Sequence, residues 1–248
     1  MNNKKATIQR QRRSFSLFLA VIMLLGLLLP GASADDGEMP IAPLSAVQVF
    51  SQQELEYAIA NAPSTAPGNE TPTVIAVETD MQLTSAIQIA QGRNIHLLSY
   101  GTNPDTGEGG TQRTLYAAAG ERHFDVVGSA TRLTLSNIVL DGGHAEGEAI
   151  NRGGIQNGGN VVMQANAVIE HCRATIGGAI FGGITTMYGN AEIRYNHAIG
   201  VVGNFFQGNG GGIGHGAIAM FDNARIHHNH ATNNGGGVYG GTIFGACK

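Results

Sequence analysis

Charge is scarce in this sequence. Charged residues make up 13% of its 248 positions, and the net charge is −4. So sparse a balance gives no basic footprint for nucleic acid and no cationic patch for an anionic membrane. Cysteine is scarcer still: Cys172 and Cys247 are the two present, too few for the disulfide framework of a small secreted domain. Long hydrophobic runs are missing apart from "LFLAVIMLLGLLLPG", residues 17–31, which is short for a spanning helix. Lys4, Lys5, Arg10, Arg12 and Arg13 precede that run, Pro30 breaks it, and the small residues "ASA" at 32–34 follow. That is the order of a secretory signal, so residues 1–34 are expected to be cleaved and the remainder exported. "RRSF" at 12–15 matches a twin-arginine signal poorly, because Ser16 stands where an apolar residue belongs. No cysteine stands near the cleavage site to carry a lipid anchor. The expected location is extracellular or the cell surface, with a membrane met only through the signal during export.

Glycine is plentiful, and 26 of the 37 glycines lie from Gly142 onward. A flexible linker would have this composition, but in a linker aliphatic residues do not return in register. Here they do. Met187, Asn190, Ala191, Ile193, Asn196 and Ala198 correspond to Met220, Asn223, Ala224, Ile226, Asn229 and Ala231, each pair 33 apart. Met163, Asn166, Ala167, Ile169, Cys172 and Ala174 fill the same columns 24 residues earlier. A more degenerate copy puts Asn137, Leu140, Gly143 and Ala145 a further 29 residues upstream. The unit is about two dozen residues with insertions, and a period of that size with several short apolar segments marks a parallel β-helix coil. Coils stacked about 4.8 Å apart satisfy one another's backbone and align like residues. Met, Ile and Ala columns are expected to face inward, and paired glycines to form the corners. Asn196 and Asn229 are expected to take left-handed turns and to bond to their stacked neighbours.

Upstream, "SQQELEYAIANAP" at 51–63 reads as a helix. Ser51 and Glu54 make a capping box, Leu55, Ile59 and Ala62 an apolar stripe, and Pro63 the stop. A helix placed there would cover the open end of the core. The expected organisation is signal peptide 1–34, linker 35–47, N-terminal capping helix 48–63 and β-helix coils 64–248. "NPDTGEGGTQ" (103–112) and "GVVGNFFQGN" (200–209) read as excursions from the coils. The last segment, "GGTIFGACK", begins a further coil without a cap, so it is expected to be incomplete and to offer an edge for self-association.

"TVIAVETDMQLTSAIQIAQGRNIHLLSYG", then "RHFDVVGSATRLTLSNIVLDGG" and the "GGG(I/V)" units, resemble bacterial surface proteins with right-handed, pectate-lyase-like β-helices. These are adhesin-like or polymorphic-outer-membrane-like repeat proteins, and the resemblance spans roughly residues 48–248. It implies an all-β, right-handed, single-stranded parallel β-helix acting as a non-catalytic module that binds a glycan or a surface protein. The same fold hosts polysaccharide lyases, hydrolases and structural stalks, and these are the alternatives.

Hydrolases of this fold carry "GHG", a downstream "RIK" and clustered aspartates. "GHG" occurs here at 214–216 and "RIH" at 225–227, but the paired aspartate elements are missing. Glu170, Glu192 and Asp222 fall in different columns, so neither a carboxylate pair nor a calcium set is expected. Histidine is the anomaly: His144, His197 and His230 share a column that Arg173 interrupts, and "HHNH" adds His227 and His228. Stacked histidines could share a metal or titrate together, but exposed ring stacking at a turn explains them as well. No catalytic residue, metal or cofactor is expected. The candidate ligand contacts are His197, His215, Asp222, Arg225, His228, His230, Phe205 and Phe206. Cys172 and Cys247 sit in different columns about three coils apart, too far for a disulfide.

Overall fold

A computed structural model describes residues 46–64, 71–143, 152–200, 204 and 206–245. The expected signal peptide, His144, Phe205 and Cys247 lie outside the described residues. Apart from one helix, the molecule is short parallel strands stacked repeat upon repeat. None of the described helices is long and apolar enough to cross a membrane.

Each repeat from Thr73 onward, until the last strand, contributes a strand to three stacks, and Val47–Val49 adds a rung to the first alone. The first face runs through Val47–Val49, Thr73–Val77, Asn94–Ser99, Arg132–Ser136, Asn160–Gln164 and Ile184–Met187. The long strand Ile213–Met220 and then Val238–Gly245 continue it. The second face stacks Met81–Gln82, Arg113–Tyr116, Ile138–Asp141, Val168–Glu170, Glu192–Arg194 and Arg225–His227. The third stacks Ile87–Ile89, Phe124–Val126, Ile155–Asn157 and Ile180–Phe181, then the beginnings of the two long strands. A narrow fourth stack, Arg173–Ala174, His197–Ala198 and His230–Ala231, follows the second face.

The register agrees with the repeat read from the sequence. Leu140, Ile169, Ile193 and Ile226 pair in one column of the second face, and Met163, Met187 and Met220 in one column of the first. Parallel strands gather these aliphatic files into one cluster, with Met220 and Ile226 partly buried against it. Leu55 and Ile59 of the helix and Ala62 at its end also belong to it. That helix spans Gln52–Asn61, and Ser51 Oγ accepts the Glu54 N–H at 3.3 Å. The Glu54 carboxylate returns to the Phe50 N–H at 2.7 Å rather than to Ser51, so the box closes one residue early.

Between faces, the chain turns on left-handed residues at fixed places. Ala165, Gly189 and Asp222 have φ of 55°, 61° and 57° at one corner. At the next, His171, Tyr195 and His228 have φ of 51°, 55° and 52°. Asn196 and Asn229, expected to be left-handed, are instead the residues just after that turn. Their position lets them cap the stack: Asn229 Oδ1 accepts from the Asn196 N–H at 2.9 Å, and Asn196 Oδ1 from the Cys172 N–H at 2.9 Å. The expected bonding between stacked asparagines is therefore present, with Cys172 as its first rung.

The excursion at 200–209 also needs a correction. Asn209 is buried and bridges both Ile176 and Asn234, so it belongs to the stack rather than to a loop. Gly208 is tied to the stack as well, donating to the Thr175 carbonyl at 2.7 Å.

Candidate functional site: an ionisable file on the second face

Strand residues alternate sides, so the neighbours of the buried isoleucines on the second face form two flanking columns. One column is Tyr116, Asp141, Glu170, Arg194 and His227, and the other ends in Glu192 and Arg225. Stacking brings groups of opposite charge within reach. Arg194 Nε donates to Glu170 Oε2 at 2.7 Å, and its Nη1 donates to Glu192 Oε2 at 2.6 Å. Partial burial works against the guanidinium charge, but the hydrogen bonds and charges of Glu170 and Glu192 outweigh it and raise the Arg194 pKa. His227 Nε2 lies 3.6 Å from Glu192 Oε2, within ion-pair reach but too long for a hydrogen bond. One rung away, Asp141 Oδ1 accepts the Gly143 N–H at 2.7 Å and lies 3.3 Å from His171 Nδ1.

This cluster departs from the expectation that the coil carboxylates stay apart. Asp141, Glu170 and His171 place their ligand atoms within 4.8 Å of one another. Glu192 joins the group through Arg194, which reaches across one rung and one column. Asp222 alone of the three acids stays apart, accepting the Gly189 N–H at 3.0 Å.

Beside the file runs a column of rings. The left-handed backbone at 171, 195 and 228 turns these side chains onto one another. His171 stacks on Tyr195 with centroids 5.8 Å apart, and Tyr195 on His228 at 5.1 Å. His227 Nδ1 and His228 Nδ1 are 2.6 Å apart, as are His230 Nδ1 and His197 Nε2 on the narrow fourth stack. At that distance one nitrogen of each pair donates and the other accepts. Arg173, His197 and His230 share a column, as expected.

His197, Arg225, His228 and His230 of the candidate residues thus fall on or beside this region. The others do not. His215 sits at the Gly182 and Gly240 corner, edge-on to Phe181 and Tyr239 at 5.8 and 5.5 Å. Asp222 is separated from it by the rest of strand Ile213–Met220, roughly 20 Å at the β rise, so the two cannot serve one bond. Phe206 is 83% exposed and has no place in the file. Asp141, His171, Arg194 and Tyr195 were not singled out by sequence. The signal was present: extending the 29, 24 and 33 spacings one residue beyond Leu140 and the three isoleucines gives Asp141, Glu170, Arg194 and His227.

A polar depression of about 280 Å³ lies elsewhere, lined by Glu121, Arg122, Gln156, Thr175 and Phe181 among others. Its Arg122 is occupied by the carbonyls of Ile155, Ile176 and Gly177 at 3.0–3.3 Å. Comparison with known proteins finds no matching family model, no similar curated protein and no similar solved structure, so the residues of the file carry the functional reading by themselves.

Proposed function

We propose that this chain is a secreted or cell-surface, adhesin-like module, a right-handed parallel β-helix that binds a ligand along its second face without catalysis. The observation that carries the reading is the registered file Asp141, Glu170, Arg194 and His227, with Glu192 and Arg225 beside it. A row of charged and ionisable groups on a stacked scaffold is pre-organised for a complementary surface, because the backbone ladder has already fixed its spacing. Of the two ligand classes, a protein surface fits better than a glycan. Sugar platforms present an open aromatic face, whereas the rings at 171, 195 and 228 stack on one another along the column and leave Tyr195 about half exposed.

The hydrolase alternative meets a chemical obstacle. Glu170 and Glu192 each hold Arg194 through Oε2, and an acid catalyst must instead hand a proton to a leaving group. Probing surface-protein and glycan arrays with the full chain, alongside a polysaccharide-degradation assay, separates the readings. Binding to proteins, weakened about tenfold by Arg225→Glu, is the expected outcome. Release of oligosaccharides, or no binding on either array, would overturn it.

A further inference from the structure

We propose that Asp141, Glu170 and His171 form a binding site for a divalent transition-metal ion of the zinc type. The site shares Asp141 and Glu170 with the file that carries the ligand-binding reading, but metal uptake is read separately from protein binding, so either can fail alone. Its basis is the arrangement of donor atoms. Asp141 and Glu170 are paired in register on adjacent strands, and His171 follows Glu170 at the turn. Two oxygens and an imidazole nitrogen lie within 4.8 Å of one another in a half-buried position.

The closest contact has the length that such a metal requires. His171 Nδ1 and Asp141 Oδ1 are 3.3 Å apart, a long hydrogen bond that a bound ion would replace. Two donors bonded tetrahedrally at about 2.0–2.1 Å are separated by about 3.3 Å. An ion seated between them has two donors at the required separation, and the Glu170 carboxylate, within 4.8 Å of both, offers the third. Arg194 occupies Glu170 Oε2 and leaves the other oxygen for the metal.

The donors are also held from behind, as metal ligands are. Gly143 N–H fixes Asp141 Oδ1, and Arg194 fixes Glu170. The His171 ring is fixed by its stack on Tyr195 and by a left-handed backbone with φ of 51°. One imidazole with two carboxylates suits zinc, cobalt or nickel rather than the all-oxygen shells of calcium and magnesium. Three protein donors leave a fourth position open to water or to a further ligand.

The other histidine pairs are built differently. His197 and His230 approach to 2.6 Å, as do His227 and His228. That is hydrogen-bond length, shorter than the separation of two donors around one such ion, so these pairs serve as the control.

The test uses the full chain, stripped by chelator and titrated with Co²⁺ and Zn²⁺ at neutral pH. Co²⁺ is followed by its visible ligand-field absorption and Zn²⁺ by calorimetry. His171→Asn removes the imidazole but retains a residue that tolerates the left-handed backbone, and circular dichroism verifies that the variant is folded. Asp141→Asn is the second probe. Each is expected to weaken one metal equivalent per chain about tenfold or more, while the His197→Ala/His230→Ala pair leaves that equivalent in place. The assignment is overturned if wild type takes up neither ion. It is equally overturned if both probes bind as wild type does, or if only the His197/His230 variant loses the ion.

Discussion

Ile193 is wholly buried between Ile169 and Ile226, and its neighbours Glu192 and Arg194 are half-exposed. One residue's shift along this strand therefore separates core from ion network. Ile193→Asp is expected to cost roughly 3 kcal/mol or more, because it places a charge among aliphatic side chains with no partner. A urea midpoint close to that of wild type would contradict the inward assignment. The inward files were legible because their chemistry repeats: Ile follows Ile and Met follows Met. The ionisable file was not, since one position carries Asp, Glu, Arg and His in successive coils, so the column repeats in place but not in type. The turns misled for a related reason. Asparagine is the usual left-handed residue, yet here Tyr195 and His228 take that backbone at φ of 55° and 52°. The asparagine after each is held by the rung beside it, Asn229 donating through Nδ2 to the Ile193 carbonyl at 2.8 Å.

At the scale of elements, both excursions could be recognised, but where they land could not. The segment around 103–112 folds back on the first face, with Gln164 donating to the Pro104 carbonyl at 3.4 Å and Gln112 to the Asn166 carbonyl at 2.5 Å. Gly107 approaches Ala165 so closely that a Cβ on it would lie 2.2 Å from the alanine methyl. Such contacts join residues more than 50 positions apart, and no local pattern announces them. The second excursion has edges that the structure moves. A Cβ added to Gly200 would lie 2.8 Å from the carbonyl carbon of Gln207, so these two backbones meet. Excising 201–206 is expected to retain a cooperative melt and the β-sheet signal, because Gly200 can be joined to Gln207 across a short gap. Extending the excision through Asn209 is expected to destabilise the stack. Asn209 Oδ1 accepts both the backbone N–H and the side-chain amide of Asn234, at 3.1 and 3.0 Å. Equal thermal midpoints for the two deletions would refute this boundary.

The whole molecule carries a response to acid within its core. His96 is buried beside Ser136, with its Nε2 2.7 Å from the hydroxyl. His123 is fully enclosed, its Nδ1 accepting the Gly154 N–H at 2.8 Å and its Nε2 facing the Leu115 and Asp141 carbonyls. Burial lowers the pKa of each from 6.5 to about 4. The unfolded chain therefore binds two protons that the folded chain refuses between about pH 6.5 and about pH 4. Stability from these groups is complete above that window and falls as pH falls through it, by about 3 kcal/mol per pH unit where both sites contribute. Glu78 acts in the opposite sense, since burial raises its carboxyl pKa while Arg113 partly restores it. One shallowly buried carboxyl does not offset two enclosed imidazoles, so urea midpoints are expected to drop steeply between about pH 6.5 and about pH 4.5. In His96→Gln, which cannot take up the proton, that slope is expected to fall by about half. A flat midpoint across the window in wild type would mean that acid reaches these histidines in the folded state, and that the stacked coils open more readily than their packing implies.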